Sequence, residues 1–412
     1  MIHEKRTGRT IVITVYLYWL VLLLWQNFGN YQSSATIVGK VVLLVLLIIV
    51  FLMNNVKIFA THFFVWSLFA IFMMFNFLLI DIKITGASLV YYVFPVVFSF
   101  LTLVCQNKAA ICKKDYLIFL KLFIATVVCM AMYSVFFQTS YFVNLFGLKE
   151  AYGNELTSFL ISSHEYGMYL VFAITAILIC YQNTHRLLHK IIYLAMLGLF
   201  VLNLLATFSR TSMLACAVII IVFTFVSSNN KIKKWMILTM IVFGVACILL
   251  PPIRTFVYNV LLKGSDDAGR FDMWNVAIEQ IKDAPIVTKL FGQGYLRTET
   301  YFQSNFQHNT VHNMFLQNFL IGGLIGTIFE ICVIIGAIKN AIACLGYNRN
   351  QAVVFIALAF SVIAFMTTNT ASIMQSPVDS YMLTVFAIII PKYVCNSICR
   401  NEYEIAKGSS ED

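Results

Sequence analysis

Apolar residues in this chain come in blocks of about 20, the helical length that crosses a bilayer's hydrocarbon core, with short polar stretches between them. The blocks lack the apolar–polar alternation of a membrane β-barrel strand. In lipid every backbone amide needs an internal partner, so helix is the form left to them. The pattern predicts twelve spans, at 10–28, 37–53, 58–80, 88–104, 116–137, 166–181, 191–208, 212–226, 235–250, 313–338, 351–370 and 380–395. The first follows His3–Arg9 and runs to about Phe28. No small-residue cleavage pattern comes after it and further spans do, so it reads as a span and not as a signal peptide.

Charge sets the direction of threading. With the N-terminus in the cytoplasm, inner segments hold seventeen of the 28 Lys and Arg residues, among them Lys113, Lys114, Lys231, Lys233 and Lys234. The short outer loops hold only Lys83, Lys149 and Arg210. The excess of inner charge predicts cytoplasmic N- and C-termini. All ten cysteines then fall in spans or on the inner side, and no structural disulfide is expected. Composition agrees: 60% of the 412 residues are hydrophobic and 11% charged, against roughly 25% charged in soluble domains. Mean hydropathy is +0.85. The net charge of +10 follows from the inner bias and anionic lipid. No basic stretch interleaved with aromatics exists, which excludes a nucleic-acid footprint. The fold class expected is therefore an all-α integral membrane protein of about 12 transmembrane helices, one polytopic domain over residues 1–412.

One outer segment departs from the short-loop pattern, residues 251–311 between spans nine and ten. It carries six basic residues (Arg254, Lys263, Arg270, Lys282, Lys289, Arg297) and six acidic ones (Asp266, Asp267, Asp272, Glu279, Asp283, Glu299). Neutral in bulk, it must meet any anion through particular residues. Residues 270–281 read as an amphipathic helix, with Phe271, Trp274, Ile278 and Ile281 on one apolar stripe. Ser265, Asp266 and Asp267 offer caps upstream and Pro285 ends the helix. The helix is expected to lie flat at the outer interface with Trp274 at headgroup depth, either roofing a site or simply packing on the bundle.

Other polar residues fall at the same level. Ser209-Arg210-Thr211-Ser212 is a turn short enough to leave Arg210 where spans seven and eight meet, a costly place unless the side chain snorkels or meets an anion. His308 and His312 stand four apart before span ten, but position 309 is Asn, so the Glu of a zinc-protease motif is missing. No Asp-x-Asp triplet occurs, and no metal or cofactor is expected. Gly322, Gly323 and Gly326 are expected to let another helix pack closely. Glu330, inside span ten, reads as bundle-facing, with an ion-transport role as the alternative. His62 reads as a hydrogen-bonded interior residue, and His164-Glu165 as an outward-facing pair.

The order Ser209-Arg210-Thr211-Ser212, Arg270…Trp274, Pro285, Gly292-Gln293-Gly294, His312-Asn313…Leu316…Gly323-Leu324-Ile325-Gly326 resembles the O-antigen ligase/polymerase superfamily of bacterial membrane proteins, which includes the Wzy-type repeat-unit polymerases. The likeness covers residues 205–330 in detail and the whole chain in topology. One departure is Ile321, where an acidic residue often precedes the glycine. The resemblance implies a glycan-transferring enzyme at the outer face of the cytoplasmic membrane, with a polyprenyl-diphosphate-linked oligosaccharide as donor.

By position, the resemblance makes Arg210 and Arg270 diphosphate contacts and His312 the catalytic histidine, with Asn313, Trp274, Gly292, Gly294 and His308 in support. The chemistry agrees. A guanidinium meets a diphosphate bidentately, and held in place it stabilises the charge that builds on the leaving group. A neutral imidazole suits removal of a sugar hydroxyl proton. The expected function is a polysaccharide polymerase, with a ligase acting on a lipid A core or protein acceptor as the alternative. A flippase or other transporter is a third reading, against which stand the missing inverted repeats. Membrane lipids are expected partners, with a flippase and a chain-length regulator as possible ones.

Overall fold

The computed structural model describes residues 113–146, 155–160, 162–226, 269–306, 310–346 and 349–368, with scattered residues in 9–76 and 234–251. Among them every regular element is helical. In chain order these are α1 (Lys113–Phe137), α2 (Thr139–Phe146), α3 (Ser163–Gln182), α4 (Leu187–Ala206) and α5 (Arg210–Val226). There follow α6 (Arg270–Asp283), α7 (Ile286–Phe291), α8 (Tyr295–Phe306), α9 (Met314–Ala343), a 3-10 turn (Cys344–Gly346) and α10 (Arg349–Thr368).

Among the described residues five helices are long and apolar enough to cross a membrane: Lys114–Phe137, Ser163–Gln182, Leu187–Ala206, Met314–Gly346 and Arg349–Thr367. They correspond to the expected spans five, six, seven, ten and eleven. Shorter apolar helices at Val12–Val21 and Arg210–Phe225 fall on spans one and eight. Spans two, three, four, nine and twelve lie wholly or largely outside the described residues, and so does His62.

The chain divides into two compact units. One comprises Met1–Tyr116, Ala268–Asn340 and Met366–Asp412; the other comprises Leu117–Asp267 and Ala341–Phe365. In the second unit α3 packs on both α4 and α5. Of its most apolar stretch 89% is buried, against 17% for α4, so α3 is central and α4 presents its flank outward. Leu187, Leu188, Ile191 and Leu194 stand exposed on α4, the apolar surface that lipid covers in a membrane. Hydrogen bonds in this unit sort by the sides that the alternation of spans predicts. Gln182 donates to the Asn350 carbonyl at 3.2 Å and Gln351 to Asn183 Oδ1 at 3.0 Å, joining ends expected on one side. Gln138 donates to the Ser158 carbonyl at 2.7 Å and Leu156 N–H to the Ala206 carbonyl at 3.0 Å, joining ends expected on the other.

Three expectations change. Cys344 is disulfide-bonded, whereas no disulfide was expected. A compartment argument says where thiols stay reduced, and it does not stop packing from bringing two of them together. On α6 the buried residues are Met273 and Ala277, with Trp274 and Ile281 at the margin. Phe271 is 61% exposed and Ile278 38%, so the buried face is turned from the apolar stripe by roughly a quarter of the circumference at 100° per residue. The compact Ala277 lets the helix approach a core that the larger stripe residues would hold off. The helix cap is Gly269, with φ 68°, in place of the upstream Ser265, Asp266 or Asp267, which lie outside the described residues. Pro285 does end α6, since Ala284 before it is extended with ψ 145°.

Candidate functional site

Arg210 begins α5 on a tight hairpin with α4. Thr207 caps α4 and bonds through its hydroxyl to the Leu204 carbonyl at 2.7 Å. Phe208 then takes φ 49°, a left-handed conformation that is a genuine outlier for a bulky residue. Its ring, 2% exposed, anchors the turn in the interior. Ser209 follows, its Oγ 2.9 Å from both His164 Nδ1 and Ser212 Oγ. His164 sits in the first turn of α3, where Ser162 Oγ accepts from its backbone N–H at 3.2 Å. Thr207, Ser209, Thr211 and Ser212 are all buried. Such polar groups are tolerated in a helical bundle only when bonded internally, and here the bonds run among hydroxyls, backbone groups and one imidazole. α3 comes close because residue 167 is glycine, where a Cβ would run into the Ser212 side chain.

The same turn receives Glu155. The strand of chain that carries it is tied down by Leu156 N–H on Ala206 and by Ser158, whose Oγ donates to the Met130 carbonyl at 2.9 Å. Ser163 Oγ donates to Glu155 Oε2 at 2.5 Å. Burial draws the Arg210 guanidinium below its ordinary pKa, and the Glu155 carboxylate works in the opposite direction. A half-buried arginine beside a carboxylate, on a rigid turn, remains a cation at any physiological pH.

The other unit holds Arg270, Trp274, Gly292, Gly294, His312 and Asn313. Met273, Ala277, Phe302, Val311 and Leu320 form a small buried core in which α6, α8 and the start of α9 meet, with Trp274, Ile281, Phe306 and Leu316 around it. Trp274 Nε1 donates to the Val311 carbonyl at 2.9 Å. The partly buried Trp274 side chain thus packs against this core. Arg270 lies one helical turn before Trp274 and on the same face of α6, the face that meets the residue preceding His312. His312 itself has φ 53°. Residues 311–313 lie outside any helix, and His308 lies outside the described residues. Asn313 is a helix cap: its Oδ1 accepts from Leu316 N–H and its Nδ2 donates to the Thr367 carbonyl, both at 3.2 Å.

α9 is broken near its start. Gly323 has φ 62° and ψ −161°, a region open essentially to glycine alone. The break frees the carbonyls of Leu320 and Ile321, and the turn after α7 supplies their donors. Gln293 N–H bonds Leu320 at 2.7 Å and Gly294 N–H bonds Ile321 at 3.2 Å. Gly292, with φ 82° and ψ −179°, and Gly323 touch backbone to backbone. A Cβ on the first would strike the Ile321 carbonyl, and one on the second the Leu290 carbonyl and Gly292 N. At Gly323 a docked loop thus takes the place of the expected close helix packing, whereas at Gly326 a Cβ would lie 3.9 Å from the ring of Phe72, a helical residue of expected span three. A Cβ at Gly322 would meet nothing within 4 Å. Beyond the break, Glu330 is buried, in keeping with its bundle-facing reading.

Sequence reasoning missed Glu155 and Gln317 altogether. Among the described residues three non-glycine positions have positive φ: Ser158, Phe208 and His312. One is His312, one is two residues from Arg210, and one is three from Glu155. Strained backbone of this kind gathers at functional sites.

Residues 194–331 match a family model described as O-antigen ligase. The match takes in Arg210, Arg270, Trp274, Gly292, Gly294, His312, Asn313 and Gly323, and this part of the chain is similar to that family. Among curated proteins no similar sequence is found.

Proposed function

From that match we propose that the chain is a polysaccharide polymerase. It moves a growing glycan from polyprenyl diphosphate onto the next lipid-linked repeat unit at the outer face of the cytoplasmic membrane. The observation that carries the reading is the left-handed His312, fixed through its neighbour Val311 to the same helix face as Arg270. A base on strained, pinned backbone beside an arginine-bearing helix suits an acid–base step next to an anionic leaving group.

The step balances as follows. The acceptor sugar's hydroxyl oxygen attacks the anomeric carbon of the donor chain, and its proton passes to His312. The anomeric C–O bond breaks and its electron pair leaves with the diphosphate. Arg210 and Arg270, both within the matched residues, are the proposed diphosphate contacts and stabilise the charge that develops there. Each such donor is worth about 10²–10³ in rate, and the base about 10²–10⁴. No covalent enzyme intermediate is needed. Residues 251–311 face outside in this reading, where the lipid-linked donor is presented.

The test uses the full chain in proteoliposomes supplied with a polyprenyl-diphosphate-linked repeat unit alone. The expected products are a ladder of lipid-linked lengths and free polyprenyl diphosphate, one per linkage formed. An unlengthened donor that is consumed only when a lipid A core or protein acceptor is added would replace polymerase by ligase. In the same vesicles a reporter cysteine at position 303 should react with impermeant reagent from the outer face, and one at position 232 should not.

A further inference from the structure

Val311 is gripped through both of its backbone groups. Its N–H donates to Gln317 Oε1 at 2.8 Å, and its carbonyl accepts from Trp274 Nε1 at 2.9 Å. Its side chain is fully buried in the core shared by α6, α8 and α9. The residue that follows is His312, in the left-handed conformation. Turning into that conformation costs about 1–3 kcal/mol for a residue with a Cβ, so the backbone holds it only where neighbouring bonds leave no alternative. Fixing both peptide groups of Val311 supplies that constraint at the peptide leading into His312.

Gln317 is not needed for ordinary helix capping. The first turn of α9 is already served by Asn313, whose Oδ1 takes the Leu316 N–H and whose carbonyl takes the Gln317 N–H at 3.0 Å. Instead the side chain reaches back six residues. Its amide orientation is not ambiguous, because a backbone N–H requires the oxygen. That leaves Nε2 buried, with no acceptor among the described residues. A buried donor in that state costs about 1–3 kcal/mol. An apolar residue would avoid the penalty, so the fully buried amide stands here for its oxygen, and the oxygen serves Val311.

We propose that Gln317 is a positioning residue for His312: with Trp274 on the opposite side of the Val311 peptide groups, it fixes where the imidazole stands against the acceptor hydroxyl. This rests on His312 being the base. Displacing a reacting group by about 1 Å costs on the order of 10²-fold in rate, so the clamp acts on turnover and not on the diphosphate.

The experiment compares His312→Ala, Gln317→Met and Gln317→Glu in the full chain, measuring kcat for chain extension and, separately, the affinity for polyprenyl diphosphate alone. Gln317→Met keeps length and removes the acceptor; kcat is expected to fall about 10- to 100-fold with diphosphate affinity unchanged. Gln317→Glu keeps an acceptor oxygen and is expected to recover most of the rate. Wild-type kcat in Gln317→Met, or equal losses in Met and Glu variants, would overturn the proposal. Full activity in His312→Ala would instead remove the functional reading itself. Should Gln317→Met fail to insert, Trp274→Phe keeps an aromatic ring in the core and removes only the other donor. The same fall in kcat at unchanged diphosphate affinity is expected there, and no fall would count against the clamp.

Discussion

The two arginines stand on opposite kinds of scaffold. Arg210 is carried by a helical hairpin in which side chains shape the backbone: Thr207, Ser209, Ser212 and His164 bond one another around a left-handed Phe208. Arg270 belongs to a region where backbone shapes backbone, with a turn after α7 docked on carbonyls released by a break in α9. The contrast teaches where each half tolerates change. Hydroxyl networks accept replacements that keep a donor and an acceptor. A backbone-to-backbone contact accepts nothing with a Cβ.

The largest expected effect tests whether both scaffolds serve one chemistry. Arg210→Lys and Arg270→Lys keep the charge and lose the planar fork. Each is expected to lower chain extension about 10²- to 10³-fold, the loss seen when one donor to developing charge is removed. Both should retain normal membrane insertion. Full-length polymer from either variant would take that arginine, and its scaffold, out of the site.

A middle-sized effect separates the scaffolds themselves. Gly323→Ala is expected to destabilise by at least about 1–3 kcal/mol, from its glycine-only conformation and its contact with the Leu290 carbonyl. Gly322→Ala, with open space around it, is expected to be neutral by comparison. Thermal unfolding in detergent reads both. Equal midpoints for the two would mean that the docked turn moves away without penalty.

The smallest effect is expected at Glu155, which bears on the site through Arg210 and Ser163. Glu155→Gln keeps an acceptor for Ser163 and removes the charge beside the guanidinium. A several-fold drop in kcat/KM for the lipid-linked donor is expected, well short of the Arg210→Lys loss. A drop as large as that of Arg210→Lys would mean that the carboxylate itself meets the substrate.

Much of this molecule is written in apolar block length and in turn residues. The helices at spans five, six, seven, ten and eleven, the stop at Pro285 and the position of Arg210 between two helices all follow from local pattern. Ser162 extends α3 three residues beyond its apolar block, because a cap is a side-chain event that hydropathy does not register. What stayed hidden depends on partners. Periodicity finds an apolar stripe on α6 but cannot say that Ala277, small enough for close approach, turns inward while Phe271 turns out. Gly323 resembled a helix-packing glycine because nothing local reveals that a loop thirty residues upstream fills its notch. Gln317 and Glu155 are ordinary polar residues until the fold supplies Val311 and Arg210.

The mutual contact of Gly292 and Gly323 has a bearing on how such chains diverge. Two positions about thirty apart fit only as a pair, each excluding a side chain because of the other's main chain. Related chains should then keep both glycines or abandon both, and a lineage that lost one would have to rebuild the turn and the helix break in a single move. Between those fixed points, lengthening α8 or its flanking loops alters neither glycine, and that stretch is where insertions should accumulate.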